Sequence, residues 1–210
     1  MEYLVTMTTH VPQGTRDEEV DDVRTREAAN TRKLAAQGLV LRLWRPPLAP
    51  GEWRTLGLFA ASDTTELERV LASMPLGLWR TDEITELPPH QNDPGPGAAA
   101  DLRPKDGEVP REFLVTFTPA VPGGTPAEEV AEAQRREAEA ASELAREGYL
   151  VRLWAPATGQ RPAPALGLWR AEDDAQLQAI LEGLPLHPYA ETDVTPLTPH
   201  PSDPATSASR

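Results

Sequence analysis

The sequence EYLVTMT at residues 2–8 returns as EFLVTFT at residues 112–118, and GLVLRLWRP at 38–46 returns as GYLVRLWAP at 148–156. An offset of 110 places all of residues 2–94 on residues 112–204 without a gap, and 37 of these 93 positions are identical. An internal repeat of this kind is one structural unit that occurs twice. A residue that both repeats need is therefore expected at the same position in each of them.

The repeat sets the predicted domain organisation. We predict a first repeat at residues 1–94, a linker at 95–111, a second repeat at 112–204 and a frayed tail at 205–210. The linker is rich in Gly, Pro, Ala and charged residues, which is typical of a connection between domains. A lone domain of this size buries a modest core and often needs a partner, and the duplicate supplies that partner within the chain.

Composition narrows the function classes. The chain of 210 residues has no cysteine, four scattered histidines and a formal net charge of −13, which argues against a disulfide scaffold, a metal site, and nucleic acid or an anionic membrane as partner. No apolar run approaches the roughly 18–20 residues that span a bilayer. The opening segment has the pattern of a strand rather than of a signal peptide. We therefore expect a cytoplasmic protein with a small-molecule substrate.

Each repeat has the same predicted order of elements: strand, long helix, strand, strand, short helix, strand. The long helices are expected at about 16–37 and 126–147, each after a V-P-x-G-T turn whose Thr has a Glu three residues later, a capping-box spacing. Gly38 and Gly148 end them. This βαββαβ order is the ferredoxin-like pattern. We predict an α+β protein in which two ferredoxin-like repeats form an intrachain dimeric α+β barrel.

Aspartates also recur in both repeats. Asp63 and Asp173 precede the short helices, where an aspartate commonly caps the helix N-terminus. Asp93 and Asp203 follow a histidine near the end of each repeat, in P-H-x-x-D-P, and we interpret them as turn residues.

A carboxylate lies on the apolar face of each long helix. Val20, Val23 and Leu34 share one face at helical spacing, and Glu27 lies on that same face. Glu137 lies in the corresponding apolar stripe of the second repeat. An apolar environment raises the pKa of a carboxyl group toward the range useful for proton transfer, which makes both residues candidate bases. Alternatively, the side chain reaches solvent at the helix edge or pairs with an arginine.

The second strand of each repeat carries an arginine and a tryptophan on one face. Arg42 and Trp44, and likewise Arg152 and Trp154, are two residues apart and are candidates for binding a flat, carboxylate-bearing substrate. The competing interpretation is an arginine that stacks on a core tryptophan or pairs with the helix glutamate. Arg45 is a candidate in the first repeat only, because Ala155 replaces it in the second.

His90 and His200 complete the set of candidate substrate-binding residues. A neutral histidine can bind substrate or carry a proton. The competing interpretation is that it anchors the Pro-flanked end of the repeat to the body of the protein.

These features together resemble the muconolactone Δ-isomerase family, as a tandem duplication. The resemblance covers nearly all of each repeat and is carried by R-E at 26–27 and 136–137, L-W-R at 43–45, L-P-L-x-P-Y at 184–189 and H-P-S-D at 200–203. It implies an isomerase that moves a double bond in a small unsaturated lactone, with Glu27 and Glu137 as acid/base residues and with no cofactor. It also implies homo-oligomers built from these pseudo-dimeric chains.

The sequence departs from the family at the substrate pocket. Arg42 and Arg152 stand where the family usually has histidine, and the third strands are L-G-L-F and L-G-L-W in place of a polar segment. Two alternatives therefore stay open. One is a cyclase or cofactorless oxygenase of an aromatic polyketide, whose pocket Trp44, Trp79, Trp154 and Trp169 would line. The other is a non-catalytic binder of a small ligand.

Overall fold

The computed structural model describes residues 1–98, 110–157, 159 and 163–207, which form two compact units. The first unit consists of Met1–Leu87 and Thr198–Arg210, and the second of Pro88–Leu197. The end of the second sequence repeat therefore belongs to the first unit, and the end of the first repeat belongs to the second unit. The boundaries of the structural units therefore differ from those of the sequence repeats.

The first unit contains a four-stranded antiparallel sheet in the order β4 (Arg80–Leu87), β1 (Glu2–Thr9), β3 (Arg54–Ala60) and β2 (Val40–Arg45), and the end of β8 (Ala190–Pro199) pairs with the free edge of β2. Its elements are β1 (Glu2–Thr9), α1 (Asp17–Ala36), β2 (Val40–Arg45), β3 (Arg54–Ala60), α2 (Thr64–Ala72), a 3₁₀ turn (Pro75–Trp79), β4 (Arg80–Leu87) and α5 (Pro204–Ser207). Helix α5 lies where the sequence predicted a frayed tail, and residues 208–210 lie outside the described residues.

The second unit repeats this arrangement, with the sheet order β8, β5 (Arg111–Pro119), β7 (Ala165–Ala171) and β6 (Leu150–Trp154), and has an isolated bridge between Pro89 and Trp154. Its elements are β5 (Arg111–Pro119), α3 (Ala127–Glu147), β6 (Leu150–Trp154), β7 (Ala165–Ala171), α4 (Asp174–Glu182), a 3₁₀ turn (His187–Tyr189) and β8 (Ala190–Pro199). Residues 99–109 of the predicted linker lie outside the described residues.

Alternation along the strands places one apolar face of each sheet under the helices. In β1 every second side chain is buried, beginning with Tyr3 and continuing through Val5 and Met7. These residues pack with α2 in the core of the first unit, and Phe113 and Val115 pack with α4 in the second. Burial of such a face supplies the main driving force for folding. No helix among the described residues is long and apolar enough to cross a membrane.

The helix ends follow the sequence signals in part. Asp63 and Asp173 cap α2 and α4, because each carboxylate accepts a hydrogen bond from the backbone N–H three residues later, at 2.8 and 2.7 Å. The predicted capping boxes of α1 and α3 were wrong. Thr15 and Thr125 donate to the carbonyl oxygens of Pro12 and Pro122 instead, and among the described residues no side chain caps either long helix. Arg16 and Pro126 occupy the N-cap positions, so each threonine lies one residue before the position from which a side chain caps the helix.

Candidate active site

Helices α1 and α3 hold their glutamates in equivalent positions. Oε2 of Glu27 accepts a hydrogen bond from the backbone N–H of Leu76 at 2.8 Å, and Oε2 of Glu137 accepts one from Leu186 at 2.9 Å. Burial raises the pKa of both carboxyl groups, and the backbone hydrogen bond opposes this rise only in part. Each glutamate is thus fixed in orientation through one oxygen and is easier to protonate than an exposed carboxyl group.

The two glutamates differ in their charged neighbours. The side chain of Arg80 is only 2% exposed and places Nη1 3.5 Å from Oε1 of Glu27, while its Nε and Nη2 donate to Asp82 at 2.6 and 3.0 Å. The Arg80 charge lowers the pKa of Glu27 against the larger effect of burial. Ala190 occupies the corresponding position of the second repeat, and no ion pair of Glu137 is found within the described ranges. The predicted alternative of an arginine partner therefore holds for one glutamate, with an arginine that the sequence analysis missed.

Each glutamate lines a cavity in its own unit. The cavity of the first unit has a volume of about 620 Å³, and that of the second about 240 Å³. Charged and hydroxyl-bearing side chains are prominent in the first cavity, including Arg24, Arg32, Arg45, Thr31 and Ser202. Apolar side chains dominate the second, including Phe117, Val130, Leu153, Trp169 and Leu186. The duplicated sequence has thus produced two cavities of different chemistry.

The histidines at the repeat ends join these cavities. His200 lines the first cavity together with Glu27, and His90 lines the second together with Glu137. The backbone N–H groups of His200 and His90 donate to the carbonyl oxygens of Leu43 and Leu153, at 2.9 and 3.0 Å. Both predicted roles are therefore compatible, because each histidine anchors its segment and also faces a cavity.

Both imidazole rings are held in one neutral form. Nδ1 of His200 accepts from the backbone N–H of Ser202, and Nδ1 of His90 accepts from Asn92, each at 3.1 Å. Burial, followed by the charge of Arg45, lowers the pKa of His200 to about 4, and burial also lowers the pKa of His90. A neutral ring that accepts at Nδ1 carries its proton on Nε2. Each cavity is therefore lined by a carboxyl group and by a histidine whose Nε2 carries a proton.

The arginines of the second strands have structural partners. Arg42 donates from Nε and Nη2 to the buried carboxylate of Asp203 at 3.2 and 3.0 Å, and its guanidinium group lies 4.8 Å from the ring centre of Trp44. Arg152 pairs in the same way with Asp93 and stacks on Trp154. These four arginine and tryptophan side chains are absent from the described linings of both cavities.

The same contacts correct the interpretation of the two aspartates as simple turn residues. Asp203 also accepts from the backbone N–H of Leu43 at 3.0 Å, and Asp93 from that of Leu153 at 2.8 Å. Each aspartate thus fastens the segment that carries a cavity histidine to the second strand of the same unit. The P-H-x-x-D-P spacing was visible in the sequence, but the partner strand was not.

The remaining candidates divide between cavity and core. Arg45 lines the first cavity, and Trp169 lines the second. Trp79 packs against Val23 and Leu76 instead. Of the four tryptophans predicted to line a polyketide pocket, Trp169 is therefore the one that lines either of these two cavities in the described structure. Among the described residues no group of three or more His, Asp or Glu side chains is arranged to hold a metal ion.

Known proteins resemble the chain in sequence and in fold. The muconolactone delta-isomerases of Cupriavidus pinatubonensis and Acinetobacter baylyi are 29% and 31% identical to this chain over 90 residues, which is 43% of this chain and 95% and 91% of those proteins. Chlorite dismutase from Candidatus Nitrospira defluvii, in complex with imidazole, is similar in structure, with a TM-score of 0.55 at 12% identity over 94% of this chain and 91% of that chain. A heme-binding protein from Thermus thermophilus has a TM-score of 0.55 at 14% identity, over 96% and 93%.

The two structural likenesses are at identities that show the fold alone, a mixed α+β fold with antiparallel strands. The sequence match is more specific, because residues 1–93 and again residues 111–203 match the muconolactone delta-isomerase family. The chain therefore belongs to the muconolactone delta-isomerase family and contains the family's sequence twice, as a tandem duplication.

Proposed function

We propose that the chain is a cofactor-independent isomerase that moves a double bond by proton transfer on a small unsaturated lactone similar to muconolactone. Glu27 and Glu137 are the bases. The observation that carries this proposal is the pairing, in each unit, of a buried carboxyl group of raised pKa with a neutral histidine at the wall of one cavity.

The carboxylate performs both proton transfers. It takes an acidic C–H proton of the lactone, and the electron pair of that bond passes into the ring to form a dienolate. The same carboxyl group then returns the proton to the far carbon of the dienolate, so that the double bond shifts and the glutamate is regenerated. A raised pKa suits this cycle because proton-transfer groups work best when their pKa lies near the operating pH.

The histidine stabilises the intermediate. Negative charge develops on the carbonyl oxygen of the lactone when the proton leaves. A hydrogen-bond donor already in place at that oxygen lowers the barrier. Nε2–H of His200 or His90 is the donor that this proposal assigns, since Nδ1 is already occupied by a backbone N–H. Arg42 and Arg152, the donors first predicted from the sequence, are engaged by Asp203 and Asp93.

The proposal includes the predicted barrel architecture, the cellular location and the metabolic role. The element order of each unit is that of a ferredoxin-like domain, and we propose that two such repeats form the α+β barrel within one chain. We further propose a cytoplasmic enzyme of aromatic catabolism or secondary metabolism, with a small-molecule substrate and self-association of the chain.

Proton NMR of muconolactone in D₂O tests the reaction. Wild-type protein should move the double bond and incorporate deuterium, and the double variant Glu27→Gln, Glu137→Gln should do neither, because glutamine keeps the shape and removes the base. Glu139→Gln is the matched control, because Glu139 is an exposed glutamate of the same helix α3. The two single variants assign the activity to one unit or to both.

Deuterium exchange that persists in the double variant would refute the assignment of the bases. A lack of exchange with muconolactone and other butenolides in wild-type protein would refute the isomerase itself. In that case the polyketide cyclase or oxygenase and the non-catalytic binder remain.

A further inference from the structure

We propose that the two cavities select ligands of different charge: the first takes a carboxylate-bearing molecule, and the second takes an uncharged, apolar one. The inference rests on the proposed function only in placing the ligand beside Glu27 and Glu137. The selection itself follows from the side chains of each cavity.

The first cavity has an excess of cations. Its charged side chains are four arginines and two acids, namely Arg24, Arg32, Arg45, Arg80, Asp21 and Glu27. Asp21 pairs with Arg24 at 3.6 Å, and Arg80 pairs with Glu27 at 3.5 Å and, outside the lining, with Asp82 at 2.6 Å. Arg32 and Arg45 are exposed, and neither has an acidic partner in the part of the chain that the structure describes.

Arg45 lies close enough to His200 for its charge to lower the pKa of that residue. The guanidinium group therefore lies near the end of the cavity where the neutral histidine is found. An arginine without an acidic partner is well suited to bind a carboxylate through two parallel hydrogen bonds. In a chain with a net charge of −13, this local excess of positive charge distinguishes the first cavity from its surroundings.

The second cavity has lost all four cations. Gln134, Ser142, Ala155 and Ala190 stand at the positions that match the four arginines. Glu137 is the one carboxyl group among the described lining residues, which include no Lys or Arg, and burial lowers the pKa of His90 and so favours its neutral form.

The neutral neighbours have changed in the same direction. Thr31, Trp53 and Thr55 of the first cavity correspond to Ala141, Ala163 and Ala165 of the second. A carboxylate in the second cavity would lose its hydration and meet a like charge without a compensating cation, which is strongly unfavourable. An uncharged ligand avoids both costs and gains the burial of apolar surface.

Two probes that cannot isomerise test the selection separately from catalysis. They are the saturated analogue of muconolactone, which carries a carboxylate, and its methyl ester, which does not. Isothermal titration calorimetry of the full chain measures the affinity of each. Because neither probe has a ring double bond, their binding is independent of turnover.

Matched variants assign each probe to a cavity. The double variant Arg32→Ala, Arg45→Ala changes only exposed side chains and should weaken binding of the acid by about tenfold or more, since a hydrogen bond to a charged group contributes about 1.5–3 kcal/mol. It should leave the ester unaffected. Ala163→Trp introduces the residue that the first repeat has at that position, narrows the second cavity, and should weaken the ester by a similar factor without changing the acid.

Ala155→Arg adds a second test of the same cavity. It restores the cation that matches Arg45, and binding of the acid to the second cavity should then appear as an increase in stoichiometry. The proposal is wrong if Ala163→Trp does not change the affinity for the ester, or if loss of the two arginines does not change the affinity for the acid. It is also wrong if neither probe binds. If the probes behave as expected but muconolactone is not isomerised, the proposed function fails and the charge selection stands.

Discussion

Removal of the Asp203 carboxylate tests the link between the end of the chain and the first cavity. Asp203 is completely buried and accepts hydrogen bonds from Arg42 at 3.2 and 3.0 Å and from the backbone N–H of Leu43 at 3.0 Å. Asp203→Ala would remove these contacts from a guanidinium group with a side-chain exposure of only 15% and from a backbone donor.

The magnitude follows from these two losses. Breaking a buried ion pair by deleting one partner costs about 3–5 kcal/mol. An unsatisfied backbone N–H costs about 1–3 kcal/mol, but the two penalties share one carboxylate and are not additive. Stacking on Trp44 and residual exposure retain part of the stabilisation of Arg42. We therefore expect a loss of about 3 kcal/mol in the free energy of unfolding.

Urea unfolding with an unchanged m-value measures this loss. Asp93→Ala is the matched variant of the second unit, where Arg152 and Leu153 lose the same contacts, and it should cost a similar amount. Asp174→Ala is the control, because Asp174 pairs with Arg111 at an exposed site, and such pairs contribute about 0–1 kcal/mol.

A loss for Asp203→Ala no larger than that of Asp174→Ala would refute the reasoning. The variant also bears on catalysis, because Asp203 fastens the segment that carries His200. With Glu137→Gln in the background, so that only the first cavity is active, the same change should lower turnover even at a temperature at which the protein stays folded.

Three further predictions use the same urea measurement. Acidification from pH 6.5 to 4 should destabilise the protein partly through His200, since its folded pKa of about 4 lies below the unfolded value, so the unfolded chain binds the proton first; His200→Gln should flatten this pH dependence, and an unchanged slope would contradict the assignment. Asp173→Ala should cost about 1 kcal/mol through the lost helix cap, whereas Thr125→Ala, at the end of a turn that does not cap α3, should cost clearly less. Gly167→Ala should cost about 1–3 kcal/mol, because its Cβ would clash with Nε1 of the buried Trp169, while the Cβ of Gly183→Ala would meet its nearest atom at 3.4 Å, and this variant serves as control.

The order of elements could be predicted from the sequence because its signals are local. Strand alternation, helical spacing and the aspartate caps act over a few residues, and the observed bounds of α1, Asp17–Ala36, lie within one residue of the expected 16–37. The capping boxes failed although their spacing was correct. Arg16 and Pro126, and not the threonines, occupy the N-cap positions, so each helix begins one residue later than the spacing requires.

The candidate bases were also accessible to local reasoning. Glu27 and Glu137 lie on the face of the helix that its apolar residues define, and the duplication showed that this carboxylate is kept in both copies. Arg80 was not accessible, because it lies 53 residues from Glu27 along the chain and its counterpart is Ala190. Alignment of the two repeats singles out residues that both contain. It therefore does not single out Arg80, which only the first repeat contains.

By itself, the sequence determined the duplication, the family, the order of helices and strands and the position of one glutamate on each long helix, because each of these depends on the pattern of neighbouring residues. Only the tertiary structure decided which histidine accompanies which glutamate, and that Asp203 and Asp93 hold Arg42 and Arg152. Those ion pairs join residues 161 and 59 positions apart. Contacts over such separations form only when the folded chain brings the partners together and removes their charges from water. A pattern of neighbouring residues cannot predict such a pairing.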